Sequence, residues 1–388
     1  MRRVAVTGIG TVCPLGNDAQ EAYANAYAGR SGIGRLLAPS LARLVDPVAA
    51  TVQFSGAEFF APPKLRMLDR VSQFAVIAAN EAVAAANLER GHIRQIRCGV
   101  FVGTGMGGTQ TADEGYQTLY GEQSDRIKPF TVLLGMYNAP AAWVSIEHGL
   151  KGPSLTYSTA CASSSVAIGE AWLRVAHGEI EMAIAGGTEA PLSLGSLKAW
   201  DALHTLATVD FEEPAASCKP FSKNRSGMVL GEGAAMVILE NWERAVARGA
   251  TIYGEVLGYG LTTDTGHITR PSVEGQAAAM LTALSSAGID SSAIDAINAH
   301  GTGTVPNDVT ETAAIKAVLG DRAYSVPISA TKSCHGHLLG AAGALECVLS
   351  LLAMRHEIKS NVVFGKLDLI RRQAVAEPVC CRSPVVRL

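Results

Sequence analysis

The feature that most constrains the fold of this 388-residue chain is a repeated alternation of short β-branched segments with longer Ala-rich segments. Residues 4–9, 98–102 and 182–185 are short, apolar and followed by glycine, which predicts buried strands that end in turns. Residues 72–86 and 166–176 carry apolar side chains at helical spacing, which predicts helices. Strands that alternate with helices predict an α/β layered fold.

A second series of the same kind begins near residue 250. Its predicted strands and helices are 252–257, 275–287, 308–319, 328–330 and 338–354. The chain is therefore predicted to consist of two similar halves, residues 1–250 and residues 251–388. No low-complexity linker separates the halves, so we expect them to pack tightly against each other.

Composition narrows the possible classes of function. The net charge of −3 gives no overall basic field, which argues against a nucleic-acid partner. The sequence has no run of about 18 apolar residues, so we expect no transmembrane helix. Its eight cysteines lack regular spacing, and Cys334 to His337 lie too close together for a standard zinc site. We therefore expect a cytoplasmic protein with free thiols and no bound metal.

Cys161 is the first candidate for chemistry. It lies in STACASSS (158–165), a run of small residues directly before a predicted apolar helix. Because a helix N-terminus carries partial positive charge, a thiol there is expected to favour the thiolate. The small neighbours would let a substrate approach. From the local sequence alone, a buried structural cysteine remains the alternative.

Two histidines have similar settings in the second half. His300 opens HGTGT after a predicted strand, where glycines and threonines permit a turn that exposes the ring. A histidine that merely caps the turn is the alternative. His337 precedes a Gly/Ala-rich helix, whose dipole favours the neutral imidazole. We expect the neighbouring His335 to be of secondary importance.

Together these segments resemble the β-ketoacyl synthases, the condensing enzymes of the thiolase superfamily. The resemblance covers nearly the whole chain, through VAVTGIGTVCPLG (4–16), GTGMGG (103–108), STACASSS (158–165), AGGTEA (185–190), FSKNRSGMVLGEGA (221–234), NAHGTGTVPND (298–308) and ATKSCHGHLLGAAGALE (330–346). It implies the thiolase fold, five alternating layers α-β-α-β-α built from two similar halves. The Cys-His-His pattern is that of the elongating branch, whereas the initiating branch has Asn where this chain has His337.

The resemblance also implies a role for each residue of the site. Cys161 would accept an acyl group from a thioester, while His300 and His337 would flank a malonyl thioester and promote its decarboxylation. Lys332 would hold His337 and Glu346 in an electrostatic network without touching substrate. The implied reaction is decarboxylative Claisen condensation with malonyl-acyl carrier protein, in fatty-acid or polyketide biosynthesis and without a cofactor.

The end of the sequence departs from the family pattern. The family normally ends in a motif like NSFGFGG, whose Phe gates the cysteine pocket and whose backbone completes an oxyanion hole, and residues 355–388 contain no such motif. An open acyl pocket, a partner chain that completes the site, and a chain limited to decarboxylation or acyl loading all stay open. The alternative function is a chain-length-factor-like or partner-dependent subunit. Cys161 weighs against it, because chain-length factors lack the active-site cysteine.

Partners follow from the same resemblance. Lys64, Arg66 and Arg70 lie in a segment that resembles the family's carrier-protein contact region. Because acyl carrier proteins are acidic, a cationic patch there would steer them to the enzyme. An ordinary solvated helix face is the alternative. Dimerisation is typical of the family, so we expect a homodimer or a heterodimer with a ketosynthase-like subunit.

Overall fold

The computed structural model describes residues 1–36, 44, 47–94 and 96–356. Its strands are β1 (Val4–Val12), β2 (Ile33–Arg35), β3 (Val48–Ala50), β4 (Cys98–Gly103), β5 (Ser154–Tyr157), β6 (Met182–Glu189), β7 (Leu230–Gly231), β8 (Gly233–Asn241), β9 (Gly254–Val256), β10 (Ile297–Asn298) and β11 (Ile328–Ser329). Its α-helices are α1 (Ala19–Tyr27), α2 (Pro62–Leu65), α3 (Arg70–Ala85), α4 (Arg90–Ile93), α5 (Thr109–Tyr116), α6 (Thr131–Gly135), α7 (Ala139–His148), α8 (Ser163–Ala176), α9 (Leu194–Ala202), α10 (Trp242–Ala247), α11 (Val273–Ala287), α12 (Val305–Leu319), α13 (Lys332–His335) and α14 (Ala342–Arg355).

The main sheet has six strands in the order β5-β4-β6-β8-β1-β9. β4 is parallel to β5 and β6, and the remaining neighbours are antiparallel. Every residue of β1, β6 and β8 is buried. α3 packs on one face of the sheet, and α8 and α14 pack on the other. Burial on both faces explains why these strands are almost continuously apolar.

The second half adds two more layers. β10 and β11 form a parallel pair, with Ile297 beside Ile328. The side chain of Asn298 on β10 reaches the backbone of Glu346 on α14, so this sheet lies against the central helices. α11 and α12 pack together beyond it, over a core that includes Ile315 and Ile328. The described residues therefore have the predicted five-layer α-β-α-β-α order.

The two halves share a close contact between a helix and a pair of glycines. A β-carbon at Gly8 or Gly10 of β1 would lie 2.1–2.2 Å from backbone carbonyl oxygens of α3. A β-carbon at Gly258 or Gly260, just after β9, would lie 2.1–2.5 Å from carbonyl oxygens of α11. Only glycine permits so close an approach of the helix. This repeated contact supports two similar halves, and a boundary near residue 250 stays a prediction.

Several predicted elements differ in their bounds from the observed ones. The predicted strand 252–257 is observed only as β9, because β9 pairs with β1 over three residues and is half-buried. The predicted helix 338–354 begins as a 3₁₀ turn at Leu339–Ala341 before α14. Within the described ranges, no helix has the length and apolarity needed to cross a membrane. The predictions about the terminal motif concern residues 355–388, of which 357–388 lie outside the described residues.

Candidate active site

A sharp turn between β5 and α8 presents Cys161. Ala160 has φ +51°, a left-handed conformation that costs a non-glycine residue free energy. The Ser163 hydroxyl stabilises the turn, since it donates to Ala160 O over 2.6 Å and accepts from Thr159 N over 2.9 Å. The Cys161 thiol is half-buried beside an apolar cluster that includes Leu339.

His337 reaches Cys161 from the other half of the chain. Its backbone forms hydrogen bonds with the segment before β8. His337 N donates to Val229 O over 2.7 Å, and Gly231 N donates to His337 O. Its Nδ1 accepts from Leu339 N over 3.2 Å, so the ring hydrogen of the neutral imidazole must be on Nε2. Nε2 lies 3.0 Å from Cys161 Sγ and can therefore donate to the sulfur.

His300 has the same tautomer for a different reason. Lys332 Nζ lies 3.4 Å from His300 Nδ1 and donates to His300 O over 2.6 Å. Because an ammonium group only donates, Nδ1 must accept and Nε2 must carry the hydrogen. The rings of His300 and His337 meet edge to face, with centroids 5.3 Å apart.

Burial keeps both imidazoles neutral. It lowers the pKa of His300 to about 3, and the nearby charge of Lys332 lowers that pKa further. Burial, with Lys332 and the neighbouring rings, also lowers the pKa of His337 well below its usual value. The site therefore contains two neutral imidazoles that each offer an Nε2–H donor.

Lys332 is fully buried, and its ammonium group has one direct contact beyond the network that the resemblance implied. That network joined Lys332 with His337 and Glu346; the ammonium group contacts Glu346 and also His300. His337 Nδ1 already has Leu339 N as its donor, so Lys332 acts on His337 only through its charge. Glu346 gives the buried ammonium group the counter-charge it needs.

Burial opposes the thiolate expected at Cys161. It raises the pKa of Cys161 to about 11, although the charge of Lys332 opposes this shift. The resting site is a neutral thiol beside a neutral His337, and Nε2–H can stabilise the sulfur as it loses its proton.

Three ligand atoms of the site are close enough together to suggest a metal. One atom each from Cys161, His300 and His337 lie within 4.8 Å of one another. A histidine that binds a metal through Nε2 must present a lone pair there. Both Nδ1 atoms already accept hydrogen bonds, so both Nε2 atoms carry hydrogens. The donor set fits an anionic oxygen better than a cation.

Two buried glutamates of the site were missed at the level of sequence. Glu311 accepts from His300 N over 2.6 Å and Gly301 N over 2.8 Å, and thus fixes the His300 turn. Glu189, the last residue of β6, accepts hydrogen bonds from turns of both halves. For Glu189 the sequence offered one signal, a charged residue at the end of an otherwise uncharged predicted strand. A carboxylate buried at such a position requires hydrogen-bond partners.

The three predicted docking residues have different surroundings. Lys64 forms an ion pair with Glu147. Arg70 forms a bidentate pair with the nearly buried Glu232, with N···O distances of 2.8 and 2.7 Å. Arg66 is exposed and lines a cleft of about 730 Å³. Carrier-protein docking stays a prediction, and Arg66 is the residue of the three best placed for it.

Comparison with known proteins gives matches over nearly the whole chain. The model of the Beta-ketoacyl synthase, N-terminal domain matches residues 1–245, and that of the C-terminal domain matches residues 253–363. Nodulation protein E of Rhizobium meliloti (strain 1021) is 43% identical over 357 residues, covering 92% of this chain and 87% of that protein. The 3-oxoacyl-[acyl-carrier-protein] synthase 2 of Staphylococcus aureus (strain COL) is 38% identical, covering 91% and 86%.

The fold has solved counterparts as well. The structure of the ishigamide ketosynthase/chain length factor superposes with a TM-score of 0.85 at 32% identity. The match covers 92% of this chain and 86% of that one. The predicted thiolase-type architecture is thereby confirmed.

Proposed function

The chain belongs to the β-ketoacyl synthase family, and we propose that it condenses an acyl thioester with malonyl-acyl carrier protein, with loss of CO₂. One observation supports this most: the Cys161 thiol and one ring nitrogen each of His300 and His337 lie within 4.8 Å of one another. A nucleophile beside two neutral donors suits a reaction that first acylates sulfur and then develops negative charge on a thioester oxygen.

The first half-reaction transfers the acyl group. Cys161 Sγ attacks the thioester carbonyl, the bond from that carbon to the carrier sulfur breaks, and the thiol proton of Cys161 ends on the departing carrier thiol. His337 Nε2–H donates to Sγ and stabilises negative charge on the sulfur during the attack. The N-terminus of α8 contributes in the same direction.

The second half-reaction forms the carbon–carbon bond. The bond from the malonyl carboxylate to C2 breaks, CO₂ leaves, and the electron pair delocalises onto the thioester oxygen as an enolate. His300 and His337 donate Nε2–H bonds to that oxygen. C2 then attacks the acyl group on Cys161, the carbon–sulfur bond breaks, and the sulfur takes up a proton from solvent. The product is a 3-oxoacyl carrier protein.

The proposed partners are an acyl carrier protein and a second ketosynthase-like chain. β5 is an edge strand of the main sheet, and Leu155 on it is 37% exposed. Exposed edges of apolar strands are usually covered, and we propose that a second copy or a ketosynthase-like subunit covers this one. A chain-length-factor role without catalysis is less favoured, because Cys161 and both histidines are present. A cytoplasmic location stays a prediction.

Acylation of Cys161 tests the proposed function. The protein is incubated with an acyl carrier protein thioester, digested and analysed by mass spectrometry. The wild type is expected to gain the acyl mass on the peptide that contains Cys161, and Cys161→Ala to gain none. Cys218→Ala, which removes a buried thiol of the core, is the matched control and should retain the adduct. An adduct that persists in Cys161→Ala would refute the assignment.

A further inference from the structure

Glu189 is a fully buried carboxylate held by four hydrogen-bond donors. Oε1 accepts from Thr104 Oγ1 and Met106 N, both over 3.0 Å. Oε2 accepts from Gly105 N over 2.7 Å and Gly340 N over 2.9 Å. Three donors belong to the turn after β4 in the first half, and the fourth belongs to the turn before α14 in the second half. One side chain thus joins the two halves of the chain.

Both turns border the nucleophile. Met106 belongs to the same apolar cluster as Cys161 and Leu339, and so contributes to the surface around the thiol. Gly340 directly follows Leu339, whose N–H group fixes the tautomer of His337. The contact is close: a β-carbon at Gly340 would lie 2.5 Å from Gly105 N and 2.7 Å from Glu189 Oε2.

We propose that Glu189 is a positioning residue, whose carboxylate ties these two turns together and so sets the approach of His337 to Cys161. The reaction it serves is the proposed condensation, so this inference rests on the proposed function. Glu189 touches neither Sγ nor the reacting atoms, and it acts through Leu339, Gly340 and the Met106 turn. Its negative charge also acts on the Cys161 thiol, where it disfavours the thiolate.

The isosteric substitution Glu189→Gln tests the proposal. It replaces one carboxylate oxygen by an NH₂ group that would face backbone N–H donors, and it removes the charge. We expect kcat for condensation to fall at least about tenfold with KM for malonyl carrier protein little changed. The pH profile of Cys161 alkylation by iodoacetamide should also shift to lower pH, because a negative charge near the thiol is removed.

Glu81→Gln is the matched control. Glu81 also accepts two backbone hydrogen bonds, from Thr11 N and Ala19 N, and burial raises the pKa of both Glu81 and Glu189 to about 7. Its partners lie away from the Cys161 turn, so Glu81→Gln should change neither kcat nor the alkylation profile. If Glu189→Gln does not fold, Thr104→Val removes one of the four donors and should lower kcat in the same direction.

Two results would overturn the proposal. One is a Glu189→Gln protein whose kcat and alkylation profile match the wild type. The other is a Glu81→Gln protein with equal losses, since that would make the effect general to buried carboxylates. Alkylation of Cys161 needs no carrier protein. If the wild type performs no condensation, the proposed function fails, while the alkylation profiles still decide the role of Glu189.

Discussion

At the scale of single residues, the site depends on where two protons are held. Leu339 N–H fixes the tautomer of His337, and the Lys332 ammonium group fixes that of His300. Both rings are thereby committed to donate through Nε2. Two unrelated contacts produce one chemical outcome, a pair of neutral donors facing the thiol of Cys161.

Replacing either donor should slow decarboxylation. We expect His337→Ala and His300→Ala each to lower the rate of CO₂ release from malonyl carrier protein by about 10²–10³, the usual cost of one donor to a developing oxyanion. His335→Leu is the control, because the Nε2 atom of His335 bonds Thr331 Oγ1 and not the site. Equal losses in all three variants would contradict the assignment of the donors.

The sequence predicted these residues better than it predicted their contacts. Motif order alone selected Cys161, His300, His337 and Lys332, and the structure brings them together. The direct contact of Lys332 with His300 was not predicted, because it depends on which histidine Nδ1 atom already accepts a backbone N–H. The effect of burial on the Cys161 thiol was not predicted either, because sequence shows the start of a helix but not the loss of water around the thiol.

At the scale of elements, each half places a reactive side chain between a strand and a helix. β5 leads through a turn to Cys161 and α8, and β11 leads through the short helix α13 to His337 and α14. Each key side chain therefore lies just before a helix that packs on the main sheet. Alternating strands and helices predicted these elements and placed β11 to within one residue, but β9 depends on pairing with the distant strand β1 and was less well bounded.

The edge strand β5 yields a prediction about assembly. A lysine at Leu155 should disrupt strand pairing with a second subunit, because a charge at an exposed edge opposes sheet extension. We expect the wild type to show twice the 40.4 kDa mass of one chain by light scattering, and Leu155→Lys to show the single mass. Val246→Lys places the same charge at an exposed apolar position on α10 and should leave the dimer intact. A monomeric wild type would contradict the prediction.

At the scale of the whole molecule, the fold buries many ionisable groups between its layers, and these couple stability to pH. His335 is fully buried, and burial together with Lys332 lowers its pKa to about 3. The unfolded chain binds a proton at this residue below about pH 6.5, whereas the folded chain stays neutral until about pH 3. The contribution of His335 to the free energy of unfolding should therefore rise with pH across this window.

Comparison with His335→Leu isolates this contribution. Its free energy of unfolding, measured by urea denaturation, should depend on pH less steeply than that of the wild type, by about 1.4 kcal/mol per pH unit between about pH 4 and pH 6. The comparison of the two proteins is needed because buried carboxyl groups with raised pKa values, Glu81 and Glu189 among them, contribute with the opposite sign in both proteins. Equal slopes would show that His335 does not titrate differently on folding.

The layer order was predicted only through the family resemblance. Periodicity alone predicts an α/β fold, whereas the five layers depend on α8 and α14 packing together between two sheets. The contact of Gly258 and Gly260 with α11 matches the contact of Gly8 and Gly10 with α3. The sequences of the two halves are too different to show this similarity without the structure. The shared site follows from this arrangement, since Cys161 and His337 come from opposite halves.

The most direct test of the account is condensation by the purified chain. The protein is supplied with an acyl carrier protein thioester and malonyl carrier protein labelled with ¹³C at its free carboxyl group. We expect one labelled CO₂ released for each 3-oxoacyl carrier protein formed, with both products absent in Cys161→Ala. Acylation of Cys161 without release of CO₂ or formation of product would contradict it.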